Sequence, residues 1–196
     1  MSRDRQRHPR RSDEPYTLRS CRWFRAILWY WSVGFNLPYT FVHRTLTTVY
    51  ADTEIWCHED ELKHAFWSFA TGFGRGPYVK DYLDVEKLNW KTFSGEAFEL
   101  YQGVTLHHVP GHTIGGVAME LDLARTGCVV ITGDAFHIGE NYVHGIHPGT
   151  LTTDLNAWHR SRTYIRALVQ RKQGKVVLGH DPAYFHALEA SPGFTE

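Results

Sequence analysis

Cysteine is scarce in this sequence: Cys21, Cys57 and Cys128 are its three, and none forms a Cys-x-x-Cys pair. An odd number at wide spacing argues against a disulfide framework or a thiolate zinc site, and a reducing, cytoplasmic setting is the simpler expectation. Net charge is absent as well. The 21 basic residues balance 21 acidic ones, so no bulk field draws the chain toward nucleic acid or an anionic lipid surface. Long apolar runs are also missing. The aromatic-rich stretch from Trp23 to Trp31 and on to Phe35 is broken by Arg25 and falls short of the roughly 18 residues a membrane-spanning helix requires.

That stretch closes an N-terminal region, residues 1–45, to which no fold is assigned. Residues 2–14 mix arginines with Asp4, Asp13 and Glu14 and hold almost no apolar side chain, so a tail without fixed structure is expected. Basic residues followed by an aromatic run have the order of a signal peptide, yet no small-x-small cleavage site follows before Pro38. A helix or strand packed on the domain, or a stretch foreign to the fold, are the other readings. Membrane association is not expected.

What the chain does have is 42% hydrophobic residues in 196, enough for one domain with a core, and 13 histidines, a high proportion for the commonest neutral ligand of borderline metals. From Thr53 the pattern becomes regular. Thr53 to Cys57 reads as a strand, and Leu62, Ala65, Phe66 and Phe69 then recur at helical spacing up to Gly72. Residues 73–90, with Gly74, Gly76 and Pro77 among aromatics, read as a substrate-side loop. Strand candidates follow at Lys91 to Phe93, Ala97 to Tyr101 and Val104 to Val109. Val117, Met119, Leu121 and Leu123 alternate with Ala118, Glu120, Asp122 and Ala124, which predicts one face on a core and one in water. Cys128 to Thr132 is apolar almost throughout, as in a strand covered on both faces. Thr153 or Asp154 can cap a helix with Leu155, Trp158, Ile165, Leu168 and Val169 on one face, ending at Gly174, and Lys175 to Leu178 is a last strand. Strands alternating with helices predict an α/β layered domain over residues 46–196.

Three places share one design, an apolar strand, a glycine and then a potential ligand: Val109-Pro110-Gly111-His112, Ile131-Thr132-Gly133-Asp134 and Val177-Leu178-Gly179-His180. One such residue after a strand is more often a cap or turn residue than a ligand. Three of them at strand ends, where α/β folds assemble sites, argue for a pocket built by convergence. Glycine before each ligand is expected to let the backbone turn sharply and to leave room for a metal and its water.

Pro110-Gly111-His112-Thr113-Ile114-Gly115-Gly116, then Thr132-Gly133-Asp134-Ala135, then Gly179-His180-Asp181 resemble the later motifs of the metallo-β-lactamase superfamily in type, order and spacing. Glu140-Asn141 and Asp181 give the likeness a quorum-quenching N-acyl homoserine lactonase character, over about residues 50 to 190. The resemblance implies a partial αββα sandwich, mainly its C-terminal half. It implies two zinc ions about 3.5 to 4 Å apart, His112 on one, His180 on the other and Asp134 bridging them, with a shared hydroxide opening a small-molecule ester or lactone. Where such lactonases carry a tyrosine that contacts substrate, three residues past the bridging aspartate, this chain has His137. The family's His-x-His-x-Asp-His signature is absent. Its place falls near residues 39–44, where His43 is the one potential ligand beside Arg44. Each zinc would keep one histidine and the shared carboxylate, where a catalytic zinc normally has three protein ligands. An inactive remnant or binding form, dimerising or oligomerising through an exposed sheet edge, and a generic esterase or glyoxalase-like thioester hydrolase, are the alternatives. His107 and His108, adjacent on a strand, are expected on opposite faces, and with His144 and His147 are read as structural or solvent-facing.

Overall fold

A computed structural model describes residues 54–73, 78 and 88–182; the N-terminal region 1–45 and most of the 73–90 loop fall outside the described residues. Strand β1 (Glu54–His58) runs into helix α1 (Glu59–Thr71), and β2 (Asn89–Phe93) pairs with β1 in parallel. The second sheet holds β3 (Ala97–Tyr101), β4 (Val104–His108), β5 (Val117–Leu123), β6 (Gly127–Ile131) and β7 (Lys175–Val177) in that order. Its first four strands are antiparallel neighbours, joined by short turns except between β4 and β5, where the loop 109–116 intervenes. Helix α2 (Leu155–Arg171) lies in the crossover from β6 to β7, and that last pair is therefore parallel.

Both faces of the five-stranded sheet are covered. Between the sheets, Phe93 packs with Leu106, Met119, Leu121, Val129 and Val177, and the Trp56 and Phe98 rings stack at 5.3 Å across the gap. On the opposite face Ala118, Val130 and Val176 meet Trp158, Ile165 and Leu168 of α2. This αββ arrangement with α1 beside the small sheet is the partial α/β sandwich expected from the sequence. Among the described residues no helix is long and apolar enough to cross a membrane.

Two sequence expectations need correction. The second face of β5 is dry over most of its length: Ala118 and Glu120 are buried, and Asp122 near the strand's end is exposed. Helix α2 covers that face, and Glu120 is tolerated there because its carboxylate meets Lys172 Nζ on one oxygen and His107 Nε2 at 3.0 Å on the other. Burial raises the Glu120 carboxyl, but these two partners hold it below the usual carboxylate range. The buried face of α1 is also not the apolar one. Glu61, Ala65 and Ser68 face inward, while Phe66 is exposed. Glu61 is drawn in by two donors, the Gly115 amide at 2.7 Å and the Tyr78 hydroxyl at 3.0 Å.

Candidate metal centre

Helix α2 is where the site begins. Asp154 caps it by accepting from the Ala157 amide at 2.9 Å, so the apolar periodicity starts with a defined N-terminus. From there the helix ties down two of the three turns. Thr153 donates through its amide to Gly111 O at 2.7 Å and through its hydroxyl to His112 O at 2.6 Å. Ser161 Oγ donates to Pro110 O at 2.7 Å, and the fully buried Trp158 donates from its indole to Ala135 O at 2.7 Å.

The third turn is held by backbone pairing, Gly179 N to Phe136 O at 3.1 Å and His180 N to His137 O at 2.8 Å. Close approaches account for two of the three motif glycines, Gly111 and Gly179, and a positive φ of +54° for the third, Gly133. A Cβ on Gly111, whose φ is +137°, would lie 2.4 Å from Trp158 Cα, and one on Gly179 would lie 2.6 Å from the Gly133 carbonyl oxygen.

The result is that the side chains of His112, Asp134 and His180 meet. Asp134 Oδ1 is 2.7 Å from His180 Nε2, and its other oxygen, Oδ2, is 3.8 Å from His112 Nε2. Each carboxylate oxygen thus addresses a different imidazole. His137 stands between them, its ring edge-on to both, with centroids 4.8 Å from His180 and 5.3 Å from His112. Burial lowers the proton affinity of His137; Asp134 opposes this and the two neighbouring imidazoles reinforce it.

Sequence reasoning missed what holds His137 in place. Asn141 Oδ1 accepts from both the His137 and Ile138 amides at 3.0 Å, and its Nδ2 donates to Ile146 O at 2.6 Å. Asp181 Oδ2 accepts from the Gly139 amide at 2.9 Å. The signal available was an asparagine four residues past a histidine, which is the reach of a side chain back onto its own turn.

The residue types suit a borderline divalent cation: imidazoles and one carboxylate, half-buried at strand ends. His112 supports that fit. Its buried Nδ1 has no hydrogen-bond partner, and its Nε2 sits beyond hydrogen-bond length from Asp134. A second group, His58, Asp60 and His108, also brings potential ligand atoms together. There the two rings stack in parallel at 3.6 Å, so their in-plane lone pairs do not converge. His58 Nδ1 is already used to cap α1 through the Asp60 amide, and His108 Nε2 is 3.1 Å from Ile114 O. The remaining sequence expectations hold for position: His107 is buried toward Tyr164 and Glu120, His108 lies on the other face against His58, and His144 and His147 are exposed.

No protein-family model matches the chain. In sequence it is 28% identical over 127 residues to the N-acyl homoserine lactonase AttM of Azorhizobium caulinodans, covering 62% of this chain and 48% of that protein. It is 29% identical over 104 residues to an N-acyl homoserine lactonase of a Bacillus species, covering 53% and 40%. In structure it superposes on an N-acyl homoserine lactone hydrolase with the product N-hexanoyl-L-homoserine at its catalytic metal centre, with a TM-score of 0.60, 24% identity, and 69% and 50% coverage. The chain has part of the metallo-β-lactamase fold. AidC, a dizinc quorum-quenching lactonase, shares the metallo-β-lactamase fold with a TM-score of 0.50 at 16% identity, covering 68% and 50%. The chain thus spans about half the length of the relatives it matches.

Proposed function

We propose that this chain is a metal-dependent hydrolase of lactonase type, acting on an ester or lactone ring of the N-acyl homoserine lactone kind. The observation that carries the reading is the split of Asp134, whose two oxygens face His180 and His112 separately. His112, Asp134 and His180 hold the cation, zinc in the relatives' chemistry. A divalent ion bound there supplies Lewis acidity and brings the pKa of water toward 7, so that no serine or cysteine nucleophile is needed.

The chain's own residues do the rest. Asn141 and Asp181 fix the turn on which His137 faces the centre, and Trp158 fixes the turn carrying Asp134. Exposed apolar side chains at Ile138 and Leu151, on loops that continue from His137 and lead to Thr153, offer an acyl group a surface.

The test is ring opening of N-hexanoyl homoserine lactone by the full chain loaded with zinc, followed by proton release. Turnover removed by EDTA and reduced by about two orders of magnitude or more in Asp134→Asn supports the reading. Absence of turnover on lactone, ester and thioester substrates by metal-loaded protein overturns it. The missing His-x-His-x-Asp-His string favours a second reading, a binding form that holds the cation without turnover; stoichiometric metal with no hydrolysis of any of the three substrates is its signature.

A further inference from the structure

We propose that Arg162 and Arg166 form a binding site for the oxyanion head of an amphiphile, a phosphate or carboxylate group on an apolar chain, with Val143 and Ile146 as the surface for the chain. The proposal rests on neither the hydrolase reading nor the metal centre.

It starts from an uneven spread of charge. The chain is neutral as a whole, but α2 carries Arg160, Arg162, Arg166 and Arg171 and no acidic residue after its Asp154 cap. Cations along an exposed helix are ordinarily just a solvated face, so the case depends on how two of them are held.

Arg162 and Arg166, one turn apart, converge on the same two carbonyls in the π-helical turn Glu140–His144. Arg162 donates from Nε to Tyr142 O at 2.9 Å and from Nη2 to Val143 O at 2.7 Å. Arg166 donates from Nη1 to the same two oxygens at 3.1 and 3.2 Å, and its guanidinium lies 5.6 Å from the centre of the Tyr142 ring. Carbonyls at the end of a helical turn need donors, and Arg162 alone supplies one to each. Arg166 duplicates both bonds and sets a second cation beside the first. Capping does not require that.

The two charges are not cancelled. A carbonyl occupies an N–H without neutralising the guanidinium, and among the described residues neither arginine makes an ion pair. Burial and the nearby Arg166 charge both weaken the hold of Arg162 on its proton, with Tyr142 opposing them. Gly145, at φ +74°, lets Arg162 lie flat on the turn; a Cβ there would stand 3.1 Å from Arg162 Cζ. Among the described residues Arg162 Nη1 and the Nε and Nη2 of Arg166 donate to no protein acceptor. Two planar forks with spare donors match an oxyanion, which accepts from both and removes their repulsion.

The neighbouring surface is apolar. Val143 and Ile146 stand in the same turn and are 52% and 58% exposed. The arginines alone would satisfy an inorganic ion, whereas a head group with an apolar chain uses both features of the surface.

Calorimetry of the full chain with decyl phosphate below its micelle concentration, beside inorganic phosphate at the same ionic strength, tests the site. One decyl phosphate per chain is expected, bound about 10-fold or more tightly than inorganic phosphate. Arg162→Gln and Arg166→Gln should each weaken it by about 10-fold or more, and Arg160→Gln, elsewhere on α2, by less than about 2-fold. Sedimentation with phosphatidylglycerol vesicles separates the sources of the head group. Vesicle binding that depends on Arg166 assigns it to a lipid, and binding of the monomer alone assigns it to a free amphiphile; both support the site. If Arg162→Gln fails to melt cooperatively, the exposed Arg166 carries the test by itself. The proposal is overturned if none of the three probes binds, or if Arg160→Gln and Arg166→Gln weaken binding equally. It is also overturned if Asp134→Asn abolishes binding while Arg166→Gln leaves it unchanged, which places the anion at the metal centre.

Discussion

The two α-helices among the described residues each pack on a sheet, but they are joined to it differently. Helix α2 buries Ala157, Trp158, Ser161, Ile165 and Leu168 and directs hydrogen bonds from Trp158 and Ser161 into the turns that carry Asp134 and His112. Helix α1 buries Glu61, Ala65 and Ser68, leaves Phe66 and Trp67 exposed, and meets the β4–β5 turn through Glu61, which accepts from the Gly115 amide. The difference shows where the site gets its rigidity. All four of its central side chains come from the ends of β4, β6 and β7 and from the turn after Asp134, and α2 with its neighbouring loops holds them.

The comparison breaks most readily at Trp158. Replacing this fully buried indole with alanine leaves a large cavity and frees Ala135 O, and should cost about 3–5 kcal/mol in denaturant unfolding while also weakening metal binding. If stability falls but metal affinity is untouched, α2 does not position the site. Glu61→Ala is the matching change on α1. It strands the Gly115 amide and should cost about 1–3 kcal/mol with much less effect on metal affinity.

Acid should act on the α2 side next. Burial lowers the proton affinity of His107, with Glu120 opposing and Lys172 and Arg171 reinforcing, while Glu120 is held below its ordinary range. For both groups the unfolded chain binds protons more readily than the folded one. Stability is therefore fully present near neutral pH, begins to fall as the pH drops below the unfolded histidine value of about 6.5, and falls further through the carboxylate range. Melting temperatures between pH 7 and 4 should show this, and His107→Phe should flatten the upper part of the decline. The smallest effect belongs to the exposed apolar side of α1, where Phe66→Ser and Trp67→Ser should each change stability by less than about 0.5 kcal/mol. A larger loss would mean that this face is covered in solution.

Much of this architecture is legible in the sequence because it is local. The strand ends announce themselves as an apolar run, a glycine and a ligand, and α2 as a capping Asp154 followed by a 3.6-residue apolar period. What is not legible depends on partners far along the chain. The buried Glu61 needs an amide 54 residues away, and the wet-looking face of β5 is dry because Lys172, His107 and α2 arrive from elsewhere. Period alone, which placed Phe66 inward, cannot weigh such bonds. The meeting of Asp134 with His180 lies between these cases: nothing local forces residues 46 positions apart together, and only the repeated strand-end design pointed to it.

The account stands or falls on whether that meeting point takes a metal ion. Equilibrium dialysis of the full chain against zinc, beside Asp134→Asn, measures it most directly. Stoichiometric zinc on the unmodified chain and loss of nearly all of it in the folded variant are the predicted result; a well-folded chain that retains no zinc, or a variant that keeps all of it, would contradict the account.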